Sequence, residues 1–208
     1  MRNIFSIDNI FFRFMARLSD LILLNFLWII FSLPIVTIGA STTALFSISL
    51  KLASDNEEYI FKEFIYSFRK NFKKSSIAWI IILAISIILI VNLIFWPRFQ
   101  SLIGYFTTTF VMFLIFIFLI ITPYIFPILS KYEVTLKDII KLSALLSIKY
   151  LPYSLVIIIL GATFFIIPII FPLTIFFMIF IGISLHSYIA SYLFNTILNK
   201  YKHDIIQL

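Results

Sequence analysis

Between Tyr150 and Asn199 the chain runs for 50 residues without a single Asp, Glu, Lys or Arg. One α-helix of that length would be about 75 Å long, more than twice the thickness of the hydrocarbon core of a bilayer. The run therefore has to turn back on itself, and the segment IPIIFP, which ends on Pro168 and Pro172, is where the turn is expected. That gives one span near residues 151–167 and another near 173–194. A soluble fold cannot accommodate such a run. With 62% hydrophobic residues, 26 Phe and a mean hydropathy of +1.14, the apolar side chains exceed what a soluble core of 208 residues could hide. Lipid is the expected outer solvent, and the expected fold class is all-α: a polytopic transmembrane helical bundle forming a single domain over residues 1–208.

Charges divide the rest of the chain in the same way. Lys74 and Arg98 bracket 23 uncharged residues, enough for one span. Residues 99–130 are 32 uncharged residues, a long or tilted helix that Pro123 and Pro127 are expected to kink or stop. Residues 21–50 pose a different problem, because 30 uncharged residues are too many for one straight crossing and too few for two full ones. The positive-inside tendency settles the count. A single crossing would place Arg2, Arg13 and Arg17 across the membrane from Lys51, Lys62, Arg69, Lys70, Lys73 and Lys74, whereas two passes or a re-entrant pair keep both groups on one side. The expectation is about six membrane segments, the first two short and joined between Pro34 and Gly39, with helix 1 starting near Ile10 and helix 2 covering about residues 39–54. Both termini are then cytoplasmic, and of the basic residues only Arg98, expected to cap its helix just past Pro97, faces outward. Asp20 is expected to pair with Arg17 at the interface.

The first pair carries a pattern of its own. Gly39, Thr43 and Ser47 recur at i, i+4 and i+8, a small-residue face that lets helices approach closely, and Asn25 and Ser32 share a face of helix 1. The expected contact is between those two faces, and a binding site at the break is the sharper alternative, since interrupted helices line the sites of many transporters.

Two connections are expected to be amphipathic cytoplasmic helices. In EEYIFKEFIYSFRKNFKKS, Phe61, Phe64, Ile65, Phe68 and Phe72 keep helical spacing while the basic residues lie largely elsewhere, which suits a helix resting on the inner leaflet. In TLKDIIKLSALLSIKY, Thr135 and Asp138 form a capping pair, with Leu136, Ile139, Ile140 and Leu146 as the apolar side. The net charge of +7 is spread among apolar residues beside the spans. Anionic inner-leaflet lipid is therefore the expected partner, and nucleic acid is not.

Catalytic patterns are missing. Four Gly in total cannot make a phosphate loop or a dinucleotide fingerprint, and none of the nine carboxylates falls within an expected span. Two His, His186 and His203, and no Cys leave no zinc ligand set, and His186 next to Ser184 and Ser187 in sequence is not a triad arrangement. No enzymatic activity and no cofactor are expected. His186 is an ionisable residue inside a span, with Gly182 and Ala190 on its face. It is expected to pack and hydrogen-bond against a neighbouring helix, the alternative being pH sensing or substrate contact.

The segment LSDLILLNFLWIIFSLPIVTIGASTTAL followed by FIYSFRKNFKKS resembles the YesL family of bacterial membrane proteins. The likeness rests on Asn25, Trp28, the block LPIVTIGA at residues 33–40 and the SFRKNF element at residues 67–72 that contains Asn71, and it covers about the first 75 residues. His186 is not part of that pattern. The resemblance implies an uncharacterised plasma-membrane protein, accessory or regulatory to carbohydrate uptake, because relatives are often encoded beside carbohydrate uptake systems and glycan-degrading enzymes. A sugar-transporter permease or a second copy of the chain is the protein partner it implies. A small transporter or channel in its own right is the alternative, and it requires Asn25, Thr37, Thr43, Asn92, Thr107, Thr122 and His186 to converge on one cavity.

Overall fold

The computed structural model describes residues 10–54, 59–99, 101–133 and 135–206. The expectations placed on Arg2, Asp8, Asp55, Glu57 and Glu58, and on the side chains of Lys202, His203 and Asp204, lie outside the described residues. The described chain is helical with no strand: α1 Ile10–Phe31, α2 Ile38–Leu52, α3 Ile60–Phe95, α4 Leu102–Lys131, α5 Leu136–Lys149, α6 Leu151–Ile170, the short α7 Thr174–Phe177, and α8 Ile183–Ile206. A π-helical turn, Met178–Gly182, joins α7 to α8. Six helices are long and apolar enough to cross a membrane, as the uncharged runs require.

α1 ends where expected, because Pro34 cannot donate to the helix ladder. Thr37 closes the turn, its hydroxyl donating to the carbonyls of Phe31 and Pro34, both at 2.7 Å. Gly39, however, is not in that turn. It is the second residue of α2, and its missing side chain admits a different neighbour from the one expected. A Cβ there would meet the Ser75 backbone carbonyl and, at 2.6 Å, the Cβ of Trp79. The small face of α2 therefore packs on α3 rather than on α1, and Thr43 completes it with a 2.8 Å hydroxyl contact to Ser75. The closest antiparallel approach wins because α3 offers the small Ser75 opposite Gly39, whereas α1 offers Leu21, Leu24 and Leu27, which pack with Ala44, Leu45 and Ile48 of α2.

This pairing fixes the height of the break. The Trp79 indole donates to the Ile35 carbonyl at 2.9 Å, so the tip of the α1–α2 pair lies beside residues 75–79 of α3. From there α3 and the 3-10 turn after it continue 19 residues to Arg98, about 28 Å. The pair turns back next to the junction between the charged and uncharged halves of α3.

α3 itself departs from expectation. The aromatic segment after Tyr59 does not form a separate helix along the leaflet; it is the first part of one 36-residue helix. No Gly or Pro lies between Ile60 and Phe95 to end the helix, and a break would expose backbone groups that the continuous ladder satisfies. Its apolar stripe is divided. Phe64 is fully buried and meets Phe31 at 5.4 Å between ring centroids, and Phe68 meets Phe31 at 4.9 Å, while Phe61 and Phe72 stay exposed. α4 likewise runs through Pro123 and Pro127 instead of stopping. Within a bundle, neighbouring helices and local backbone adjustments can take up the carbonyls that proline releases, here those of Leu119 and Pro123. α6 extends through Pro168 to Ile170, so the last turn occupies residues 171–173.

α5 begins as its capping pair requires, with the Thr135 hydroxyl accepting from the Asp138 amide at 3.3 Å. It buries Ile139 and Leu146 together with Ser143 and Ser147, while Ile140, expected on the apolar side, faces out. The larger core joins α2, α4 and α8 through Phe46, Tyr124 and Phe194, whose rings meet edge to face. α8 crosses α2 steeply: Ser187 and Asn195, about 12 Å apart along their helix, reach Ser49 (2.7 Å) and the Leu50 carbonyl (2.9 Å) in the last turns of α2. Serines at the crossing allow the two backbones to approach closely.

Candidate functional site at a π-helical turn

A π-helical turn leaves backbone groups without their ordinary i→i−4 partners, and such turns are frequent at functional sites. Here the groups released at Met178–Gly182 are taken up by one side chain from the other end of the chain. Asn25, fully buried, donates to the carbonyls of Ile179 at 2.6 Å and Met178 at 3.3 Å and accepts from the Ser184 amide at 3.0 Å. Ser184 reinforces the join, its hydroxyl donating to the Leu21 carbonyl at 2.7 Å and to Ile181 at 2.9 Å. A carboxamide suits the position because it donates and accepts at once without carrying a charge into the bundle. α1 is thereby fastened to the entry of α8.

On the other flank of the same turn, α6 and α8 border an open cavity of about 510 Å³. Ile159, Leu160 and Phe164 line it from α6, and Met178, Ile181 and His186 from the turn and α8. Its hydroxyls are satisfied within their own helices, with Thr163 donating to Ile159 and Thr174 to Phe171, each at 2.7 Å. The imidazole of His186 lies 5.1 Å from the Phe164 ring and against Gly161, and its Nε2 is buried with no hydrogen-bond partner. The expected bond to a neighbouring helix is not made. Gly182 is close-packed as expected, a Cβ there falling 3.2 Å from Phe164, and Ala190, one turn beyond His186, belongs to the buried core.

The other expected site residues are dispersed. The Trp28 indole donates to Thr42 at 3.1 Å, and Asn71 bonds within its own helix to the Ser67 carbonyl at 3.2 Å. Pro34 and Thr37 stay at the tip, and Gly39 and Thr43 face α3. Asn92 donates to Ile88 at 2.8 Å, and Thr107 and Thr122 to the carbonyls four residues before them. Ser184 and Ser187 are turned away from His186 into contacts with α1 and α2. The Arg17 guanidinium lies over the Tyr188 ring, 5.9 Å from its centroid. Among the described residues no three His, Asp or Glu side chains gather closely enough to hold a metal ion. Ser49, Ser154 and Tyr124 carry buried contacts that the sequence does not single out, the last two joined at 2.7 Å where α4 meets α6. The signal available for them was a polar residue recurring at helical spacing within apolar runs, most visible in Ser184, Ser187 and Ser191.

No curated protein and no solved structure matches the chain. Residues 21–93, which include Asn25, Trp28, the block at residues 33–40, Asn71 and most of α3, match a family described as "Protein of unknown function, DUF624".

Proposed function

We propose that this is a non-enzymatic membrane protein, accessory or regulatory to carbohydrate uptake at the plasma membrane, that works by contact with a permease rather than by carrying a solute itself. The observation behind this reading is the fate of the polar residues inside the spans. A carrier would need Asn25, Thr37, Thr43, Asn92, Thr107, Thr122 and His186 around one path, and six of them are each spent on separate local or interhelical bonds. His186 alone faces a cavity, and that cavity is apolar. DUF624 is the domain of YesL-type proteins, and the carbohydrate connection is what the resemblance to that family implies. The expected result of crosslinking and purification from native membranes is that a sugar-transporter permease accompanies the protein. Isolation of the chain alone, together with sugar accumulation by proteoliposomes containing only this protein, would replace the reading with the carrier.

The orientation belongs to the same proposal, with both termini cytoplasmic and the α3–α4 turn outside. The chain has no Cys, so single introduced thiols report cleanly. Ser101→Cys should react with an impermeant reagent on intact cells and Ser54→Cys only after lysis. Val36→Cys, exposed at the tip of the first pair beside Trp79, should also react only after lysis, because the tip stops about 28 Å short of the outer turn. Labelling of Val36→Cys from outside would instead mean two full passes.

A further inference from the structure

Where α3 changes from charged to uncharged, it forms a cleft of about 880 Å³ with the start of α5. Lys73 and Lys74 border it from α3 and Lys137 from α5, and Ile77 and Leu136 supply its apolar floor. Two carboxylates are also present, and both are engaged. Glu133 pairs with Lys70 at 2.5 Å, and that hydrogen bond, then the Lys70 and Lys74 charges, hold its carboxyl below the usual carboxylate range. Asp138 accepts from the Thr135 hydroxyl at 2.5 Å within the cap of α5. Four lysines thus face two carboxylates, and the cleft keeps a positive excess. One turn beyond Ile77, the exposed Ile80 and Ile81 continue the apolar floor along the uncharged half of α3.

We propose that this cleft is a binding site for an anionic phospholipid, the phosphate held between Lys73, Lys74 and Lys137 and the acyl chains laid along Ile77, Ile80 and Ile81. The continuity of charge with apolar surface selects this occupant. A soluble anion would use the lysines and leave the isoleucine track idle, and a zwitterionic lipid would use the track while its own cation opposed the lysines. The level is appropriate too, because Lys74 is the last charge before 23 uncharged residues, the place where headgroups meet a spanning helix. The site is independent of any permease.

Native mass spectrometry of the full chain, with dioleoyl phosphatidylglycerol and dioleoyl phosphatidylcholine as competing probes, tests this. The wild type should retain phosphatidylglycerol preferentially. Lys73→Gln combined with Lys137→Gln should weaken that retention roughly 30-fold, the effect of removing two cations from a membrane-surface site. Lys62→Gln combined with Arg98→Gln removes the same charge elsewhere and should leave it unchanged. Equal retention of the two lipids, or an equal loss in both double variants, would overturn the site. Displacement of the lipid by millimolar inorganic phosphate would overturn it in favour of a soluble-anion site.

Discussion

Gly39→Ala should destabilise the protein by about 3 kcal/mol, the upper part of the range for overpacking a close-packed interior, and so lower the melting temperature by roughly 6 to 12 °C. The added methyl would lie on the Ser75 carbonyl and 2.6 Å from the Trp79 Cβ. Neither atom can swing aside, because both belong to or directly join the α3 backbone, so α2 and α3 would have to separate. Separation would also break the Thr43–Ser75 contact and the Trp79–Ile35 bond, since both bridge the same interface. Gly161→Ala is the control. Its nearest neighbour would be His186 Nε2 at 3.9 Å, an ordinary contact, and Ala is the better helix former. That variant should melt at or slightly above the wild-type temperature. If Gly39→Ala melts like Gly161→Ala, the α2–α3 approach is not what holds the first pair in place.

Asn25→Leu should cost about 2 to 3 kcal/mol with little change in volume. The Ser184 amide and the Ile179 carbonyl would be left buried without partners, and each such group costs on the order of 1 to 3 kcal/mol. The loss should be local before it is global: hydrogen exchange at the Ser184 amide should accelerate more than exchange in the middle of α3. Asn92→Leu removes the same side chain where its amide bonds only to Ile88 and to Trp96, one turn away on either side, and should shift melting by no more than about 2 °C. Equal effects at the two asparagines would remove the π-helical turn from consideration as the special feature of the fold.

Much of the architecture was legible because lipid imposes a simple requirement on sequence. An uncharged run must either span or turn back, so the spacing of Lys, Arg, Asp and Glu already located the uncharged half of α3, α4 and the α6–α8 hairpin, and Pro34 marked the end of α1. Thr135 and Asp138 marked the start of α5 for an equally local reason, the capping of exposed amides. Small and polar residues were legible as contacts but not as pairs. Gly39 and Thr43 announced a close approach, and Asn25 announced a buried bond, yet spacing along one helix carries no information about which other helix will meet it.

Only the tertiary structure decided that Gly39 faces Ser75 instead of α1, and that Asn25 reaches Ile179 and Ser184, more than 150 residues away. It also decided that α3 continues unbroken from its basic half into its apolar half. By itself the sequence determined that this chain is a bundle of apolar helices and where its uncharged spans lie, because those choices depend on local hydrogen bonding and on solvent. The partners of the helices, the height of the break at Pro34 and the cleft beside Lys73 depended on how surfaces distant in sequence fit together, and packing settles that only once the whole bundle is assembled.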